Sequence, residues 1–414
     1  MIFGGRTIHA AGPWFVNSTT GNDANDCLSA TTACKTIQAA INKASAGDTI
    51  NVAAGTYNEQ VKINKNLLNI KGAQAGVDAR SRVPTSESII NHPCGPVQIM
   101  ADNVVLDGFT VQGSNLDPTP NPACFGAGIW SNPSFSGTQG GHQILNNVVQ
   151  NNISGIELDS TCTNPTLVQF NLIQNNNNPG AGSGNGIQTN FGLCNASIDN
   201  NKFSGDTSSS ILVVAASSGL AVSNNELVAG TPEGIAFLFV GNSTITGNKS
   251  LGSSSSGTID LFGGNSNIAV NGNILRNGQR GLLVENPFAG FGVGPNTGVT
   301  AHTNCFVGNA AAGLEASHGG HTGTLDAKSN WWGSASGPMI GSNPGGTGDK
   351  IIDPDVVVVY SPFLTTAATT PCAPPPVGPP TNKDQCKNGG WQTFNVPRKF
   401  KNQGDCIQFV NTGK

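Results

Sequence analysis

Three carboxylates, Asp260, Glu285 and Glu315, stand where this sequence could do chemistry. Each occupies an outward position of a repeated strand, so stacking the repeats sets them on successive rungs with a diagonal spacing of about 8 Å. Carboxyls that far apart leave room for a water between them, as the acid and base of an inverting glycosidase require. Arg280, His318 and His321 lie nearby in sequence, and a carboxyl working with His or Arg is the proton-transfer set of a lyase. Phe262 offers a ring on which a sugar can stack. The plainer reading of the same carboxylates is that they solvate an outward β face. Glu157 and Asp159, about 7 Å apart on one strand face, are open to the same two readings.

These positions follow from a repeat. An Asn, a hydrophobic strand, a gap and a Gly-then-aliphatic strand recur, as in NNVVQNNISGIEL from Asn146, NNELVAGTPEGIAFL from Asn224 and GNILRNGQRGLLV from Gly272. Asn147, Asn171, Asn201, Asn225, Asn248, Asn273, Asn304 and Asn330 mark units whose seven intervals span 183 residues, about 26 per coil. That is one turn of a parallel β-helix, whose short strands stack about 4.8 Å apart. Asn suits its corners because it tolerates the left-handed region and can ladder with its counterparts. Gly180–Gly184 and Pro287–Thr297 are stretches where loops leave the coil. Neither a leucine-rich repeat frame nor the longer blades of a propeller is present.

Period-two alternation turns Ile156/Leu158, Ile187/Thr189, Ile211/Val213, Ile235/Phe237, Ile259/Leu261, Leu282/Val284 and Leu314/Ala316 inward. Outward, Leu212, Val214, Leu238, Phe262 and Leu283 form an apolar strip that monomers seldom leave bare. A loop, the C-terminal tail, a second subunit or a glycan on Phe262 would cover it. A cover from within the chain is expected, and an exposed Phe262 would point to a partner, including self-association through the strip.

Composition agrees with many short strands and polar turns. Of 414 residues 11% are charged, 6% aromatic and 37% hydrophobic, with 55 Gly. A net charge of −4 excludes the basic footprint of a nucleic-acid binder, and no run of 18 apolar residues offers a membrane span. Ten Cys, without CxxC or zinc-type Cys/His spacing, read as disulfides of an oxidising compartment rather than as a metal site, and no cofactor is expected. The expected location is therefore secreted, extracellular or cell-surface, although Met1 to Trp14 lack the apolar core of a signal peptide.

Ahead of the repeats, Ile37, Ala40, Ile41 and Ala44 lie on one helical face, which Gly47 ends, and this amphipathic helix is expected to lid the open end of the coil. Strands follow at Ile50/Val52, Val61/Ile63, Leu68/Ile70, Ile89, Val97/Ile99, Val104/Leu106 and Phe109/Val111. The run TIQAAI from Thr36, GDTI from Gly47, GTYNE from Gly55, LDGFTV from Leu106 and the closing NWWG from Asn330 resembles pectin-lyase-like right-handed β-helix proteins over roughly residues 14 to 364. The resemblance implies an all-β fold: a right-handed, single-stranded parallel β-helix, or solenoid, with an N-terminal capping helix and a small disulfide-closed C-terminal tail. It implies no single activity, since that superfamily includes lyases, hydrolases, esterases, epimerases and surface proteins without known activity.

Departures from the superfamily's motifs are informative. The Gly-x-Tyr-x-Glu element at Tyr57 and Glu59 is shared with pectin methylesterases, but their later catalytic motifs are missing, and both residues read as structural. His318-Gly319-Gly320-His321 is not the Gly-His-Gly of polygalacturonases, and the Arg-x-Pro-x-x-Arg of pectate lyases and Asp-Pro-His-Asp of alginate epimerases are absent. Trp331 and Trp332 pack the last coil or form a sugar platform.

Coil position pairs Cys162 with Cys194; proximity pairs Cys27 with Cys34, Cys94 with Cys124 and Cys386 with Cys406, leaving Cys305 and Cys372 by elimination. The tail resembles a short Cys/Trp module at the ends of secreted bacterial proteins; its Lys383, Lys387, Arg398, Lys399 and Lys401 make it basic, and it reads either as a binder of anionic wall polymer or as a small folded tail without a ligand. The divisions expected are 1–13, a leader remnant or disordered start; 14–47, loop and capping helix; 48–364, β-helix; 365–382, Pro-rich linker; and 383–414, a Cys-closed module.

The expectation for function is a secreted or cell-surface scaffold that engages polysaccharide or a cell-surface glycan. The alternatives are a polysaccharide lyase or glycoside hydrolase, and a structural, self-assembling extracellular protein.

Overall fold

A computed structural model describes residues 12–116, 124–131, 139–228, 233–250, 252, 255–286, 292–367, 372, 379–387, 389–392, 394 and 396–413. Residues 1–11 of the expected leader, 287–291 of the expected loop and most of the Pro-rich linker lie outside them. The chain divides into two compact units, Met1–Thr366 and Ala367–Lys414.

The first unit is a right-handed parallel β-helix. Among the described residues its strands form sheets of fifteen, ten and twelve strands. One coil runs through Gln143–Leu145 in the fifteen-stranded sheet, Val148–Gln150 in the ten-stranded and Ser154–Leu158 in the twelve-stranded, then enters the next coil at Thr166–Gln169. All strand pairs between coils are parallel, and Ile156, Ile187, Ile211, Ile235, Ile259, Leu282 and Leu314 stack in one continuous register. These seven residues are fully buried, as alternation in the sequence requires.

The corner between the fifteen- and ten-stranded sheets is held by buried asparagines. Asn171 Nδ2 donates to Asn201 Oδ1 at 2.9 Å, and the same arrangement continues through Asn225, Asn248, Asn273 and Asn304 to Asn330. Each oxygen also accepts the backbone N–H of the Asn one coil earlier, as Asn248 Oδ1 does from Asn225 at 3.0 Å. The second amide hydrogen reaches a carbonyl, as from Asn225 to Ile198 at 2.9 Å. One residue thus supplies the partners that a tight corner denies its backbone. The left-handed turn belongs to a different residue, the one before: Asn146, Phe170, Asn200, Asn224, Gly247, Gly272, Thr303 and Ser329 have φ between 53° and 70°. The single corner Asn expected from sequence is therefore two positions with separate duties.

Helix α1, Ile37–Lys43, lids the first coil with Ile37, Ala40 and Ile41 buried. It ends before Gly47, which instead forms the next turn with φ 89°. Thr36 caps it, and the Glu59 carboxylate accepts the N–H groups of Ile37 and Gln38 at 2.8 and 2.9 Å. Tyr57 donates its hydroxyl to Ala53 O at 2.8 Å. The Gly-x-Tyr-x-Glu element thus fastens the lid to the coil. One inward assignment shifts: Ile90 is buried and Ile89 is not, because Ser88 takes the inward phase and bonds Val52 O and Ala53 O, each at 3.0 Å. At the far end Trp332 is fully buried and stacks on Phe306 at 4.7 Å, so it packs the last coil.

All ten Cys are disulfide-bonded. The pairs Cys27–Cys34, Cys94–Cys124, Cys162–Cys194 and Cys386–Cys406 form as expected. The second unit gathers Phe394 and Phe400 around Cys386–Cys406, with helix α2, Gln403–Thr412, capped by Asn402. Arg398 pairs with Asp405 at 2.9 Å, and Lys387 with Asp384 at 2.6 Å, so part of its basic charge is neutralised internally.

Asn225→Ala would strand the Asn201 N–H and the Ile198 carbonyl and break the side-chain bonds to the Asn201 and Asn248 amides, at about 1–3 kcal/mol for each group left unpaired. Denaturant unfolding should therefore register a loss of several kcal/mol, whereas Asn224→Gly, at the left-handed position, should change stability by less than about 1 kcal/mol.

Candidate functional site

The carboxylates lie on the outward face of the twelve-stranded sheet. Its central column runs Gln98, Trp130, Glu157, Gln188, Leu212, Ala236, Asp260, Leu283 and Glu315, one residue per rung. Both ends are polar and the middle is apolar, as the alternation predicts. The middle is also covered: Ala236, Leu238 and Leu283 are buried, while Leu212, Val214 and Phe262 are half-buried. Phe262, the residue whose exposure would point to a partner, is half-buried within the single chain.

Asp260, on strand Gly257–Leu261, has no exposed surface. Its Oδ2 accepts the Ser256 hydroxyl at 2.6 Å, and its Oδ1 has no partner among the described residues. Burial, and then repulsion from Glu285 and Glu233, pushes its pKa up to about 8. Asp260 is therefore mostly a neutral acid at pH 7. Glu285 follows strand Arg280–Val284; burial, Glu233 and Glu315 raise its pKa against the pull of Arg280. Arg280 Nε donates to Glu315 Oε2 at 2.5 Å.

Glu233 is the member that the outward columns missed. It precedes Gly234 in its repeat as Arg280 precedes Gly281, and Gly257 stands between the two in the register. Reading the residue before each Gly, as well as those after it, would have found it. The Ser209 hydroxyl donates to Glu233 at 2.6 Å.

The histidines do not join this group. Gly319, with φ 70°, and Gly320 carry the chain around a corner, so His321 lies on strand His321–Thr322 of the fifteen-stranded sheet. There it is buried against Gly323 O and the Val299 N–H, and burial pushes its pKa down. His318 is exposed and pairs with Asp355 at 2.5 Å. Proximity in sequence to Glu315 failed for His321 because one coil corner separates the sheets, and His318, before that corner, is engaged by Asp355.

At the other end, Glu157 accepts the Asn190 amide at 2.7 Å and the Gln188 amide at 3.4 Å. Asp159 is fully buried, and its Oδ1 takes the backbone N–H groups of Asn190, Phe191 and Gly192 at 3.0, 2.8 and 3.1 Å. Burial raises its pKa to about 6 against those bonds. It is a loop anchor rather than half of an acid–base pair. Trp130, also absent from the expectations, is buried against Phe125 with ring centres 4.8 Å apart. Among the described residues no three His, Cys, Asp or Glu side chains converge as a metal would need, and no helix is long and apolar enough to cross a membrane.

Residues 183–330 match the family model described as a right-handed beta helix region. No curated protein matches the sequence. Among solved structures, pectate lyase Pel9A is 12% identical over 72% of this chain and 76% of its own, with a TM-score of 0.50. An alginate lyase from Paenibacillus sp. str. FPU-7 is 13% identical over 78% of this chain and 95% of its own, with a TM-score of 0.48. Three parallel sheets, an inward aliphatic register and an asparagine corner, with the family model over residues 183–330 and the likeness to the first of these structures, establish the fold of the chain as a right-handed parallel β-helix.

Proposed function

We propose that the chain is a secreted β-helix that binds an uncharged glycan along the outward face of its twelve-stranded sheet without cleaving it. The observation that carries this reading is the condition of the carboxylates. Asp260 has no exposed surface and Glu315 is tied to Arg280, so Glu285 is left without an accessible acid–base partner among the three expected residues. A catalytic acid must reach the glycosidic oxygen. Disulfides support secretion, and the likeness to a pectate lyase fold supports a polysaccharide ligand. Charge supports a neutral one: Glu157, Glu233, Glu285 and Glu315 outnumber Arg280, Lys62 and Lys350 on this face, so a polyuronate would meet a surplus of like charge.

A second reading, a glycoside hydrolase, is favoured by one feature, the neutral Asp260 carboxyl beside Glu285. Affinity electrophoresis and product analysis on a panel of neutral and acidic polysaccharides separate the two. Retention by neutral glycans with no new reducing ends is the expected result; product release that disappears in Asp260→Asn and Glu285→Gln would replace binding with hydrolysis.

Asp260 also sets a pH dependence. Its carboxyl binds a proton more tightly in the folded chain than in the unfolded one, so its contribution is favourable below about pH 4 and is lost as pH rises toward about 8. Asp206 and Asp159, raised by burial to about 7 and about 6, act with the same sign. Thermal unfolding should shift to lower temperature between pH 5 and pH 9, and Asp260→Asn should shrink that shift.

A further inference from the structure

Most aromatic side chains of the coil are buried or half-buried, but Phe191 and Phe239 are 54% and 48% exposed, and among the described residues no other aromatic ring is comparably open. They share a place in the fold. Both stand just past a strand of the twelve-stranded sheet, at the corner where the chain leaves for the fifteen-stranded sheet, two coils apart. The coil between them has Ala215 at that corner, since Thr189, Val213 and Phe237 are register partners. Two rungs separate the two backbone positions by roughly 10 Å along the solenoid axis, with only a small alanine at the position between them.

Each ring is held in place at a cost. Phe239 has φ 61°, a left-handed backbone that a bulky side chain adopts only under strain. Asn or Gly would serve that turn with less strain, as at five of the eight equivalent turns of the asparagine corner, where Phe170, Thr303 and Ser329 are the others. Phe191 sits in a loop pinned by three N–H bonds to Asp159, a carboxylate with no exposed surface. Strain and a buried charge spent on positioning an exposed ring mark function more than folding. Preorganised flat rings lose little freedom on binding, and the apolar face of a pyranose is the surface such a ring accepts.

We infer that Phe191 and Phe239 form a two-ring track for a linear, neutral, β-1,4-linked glycan running parallel to the solenoid axis. This rests on the glycan-binding reading above and names its ligand class. In such an extended chain each sugar advances about as far as one rung, about 4.8 Å, so sugars n and n+2 meet the two rings while the sugar between them passes over Ala215. Every second sugar presents the same face, which suits two rings on one side of the chain. The Asn190 amide, held by Glu157, stands beside Phe191 to receive hydroxyl groups.

Isothermal titration with xylan- and cello-oligosaccharides of two to six units tests the track, with maltohexaose, whose α-linkages curl the chain, as the control. Wild-type protein should gain at least tenfold in affinity between the disaccharide and the trisaccharide, the shortest ligand that spans both rings, and should not bind maltohexaose. Phe191→Ala and Phe239→Ala should each abolish that step, and the double variant should lose binding. Phe239→Gly should lose the step as well while unfolding at the same or a higher temperature, which separates loss of the ring from loss of the fold. Wild-type binding that the Phe variants leave unchanged, or a disaccharide bound as tightly as a trisaccharide, would overturn the track and leave glycan binding by the outward face standing. No binding of any glycan by the wild type would overturn both.

Discussion

The buried asparagine ladder is the constraint on which the rest depends. A solenoid coil must turn sharply several times, and a turn strips backbone groups of their sheet partners in a region closed to water. From Asn147 to Asn330 one amide per coil answers that need and bonds the amide above it, so the corner is satisfied only when successive coils are in register. The aliphatic stack from Ile156 to Leu314 needs the same register to bury itself. Polar satisfaction and apolar packing therefore select one alignment, and every outward side chain inherits its position from it.

That inheritance explains how much was legible. Sequence periodicity was enough for coil length, inward residues, the capping helix and four disulfide pairs, because each follows from local alternation or from spacing within the repeat. It was not enough to separate the left-handed residue from the laddering one, since Asn can do either and here often does both in succession, as at Asn224 and Asn225. Ile89 was misplaced for a related reason: the polar Ser88 turns inward because two carbonyls satisfy its hydroxyl, an environment that hydrophobicity cannot announce.

The candidate site was legible in part. Stacking the repeats correctly set Asp260, Glu285, Glu315 and Arg280 on one face. It assigned His318 and His321 to the same neighbourhood, but the turn at Gly319 and Gly320 carries His321 to the fifteen-stranded sheet and His318 pairs with Asp355 instead. Burial was beyond reach of the pattern: Asp260 and Glu285 look alike in a column of letters, yet one has no exposed surface and the other is half-buried. Phe191 and Phe239 lay outside the strand columns altogether, at a corner whose importance depends on backbone geometry.

The outward face of the twelve-stranded sheet and its adjoining corner thus carry the functional claim. Hydrogen–deuterium exchange with and without a neutral β-1,4-linked hexasaccharide tests it most directly. Slower exchange confined to residues 188–193, 212–216 and 236–240 is the predicted result; protection on the ten-stranded sheet instead, or exchange unaltered everywhere at saturating ligand, would contradict it.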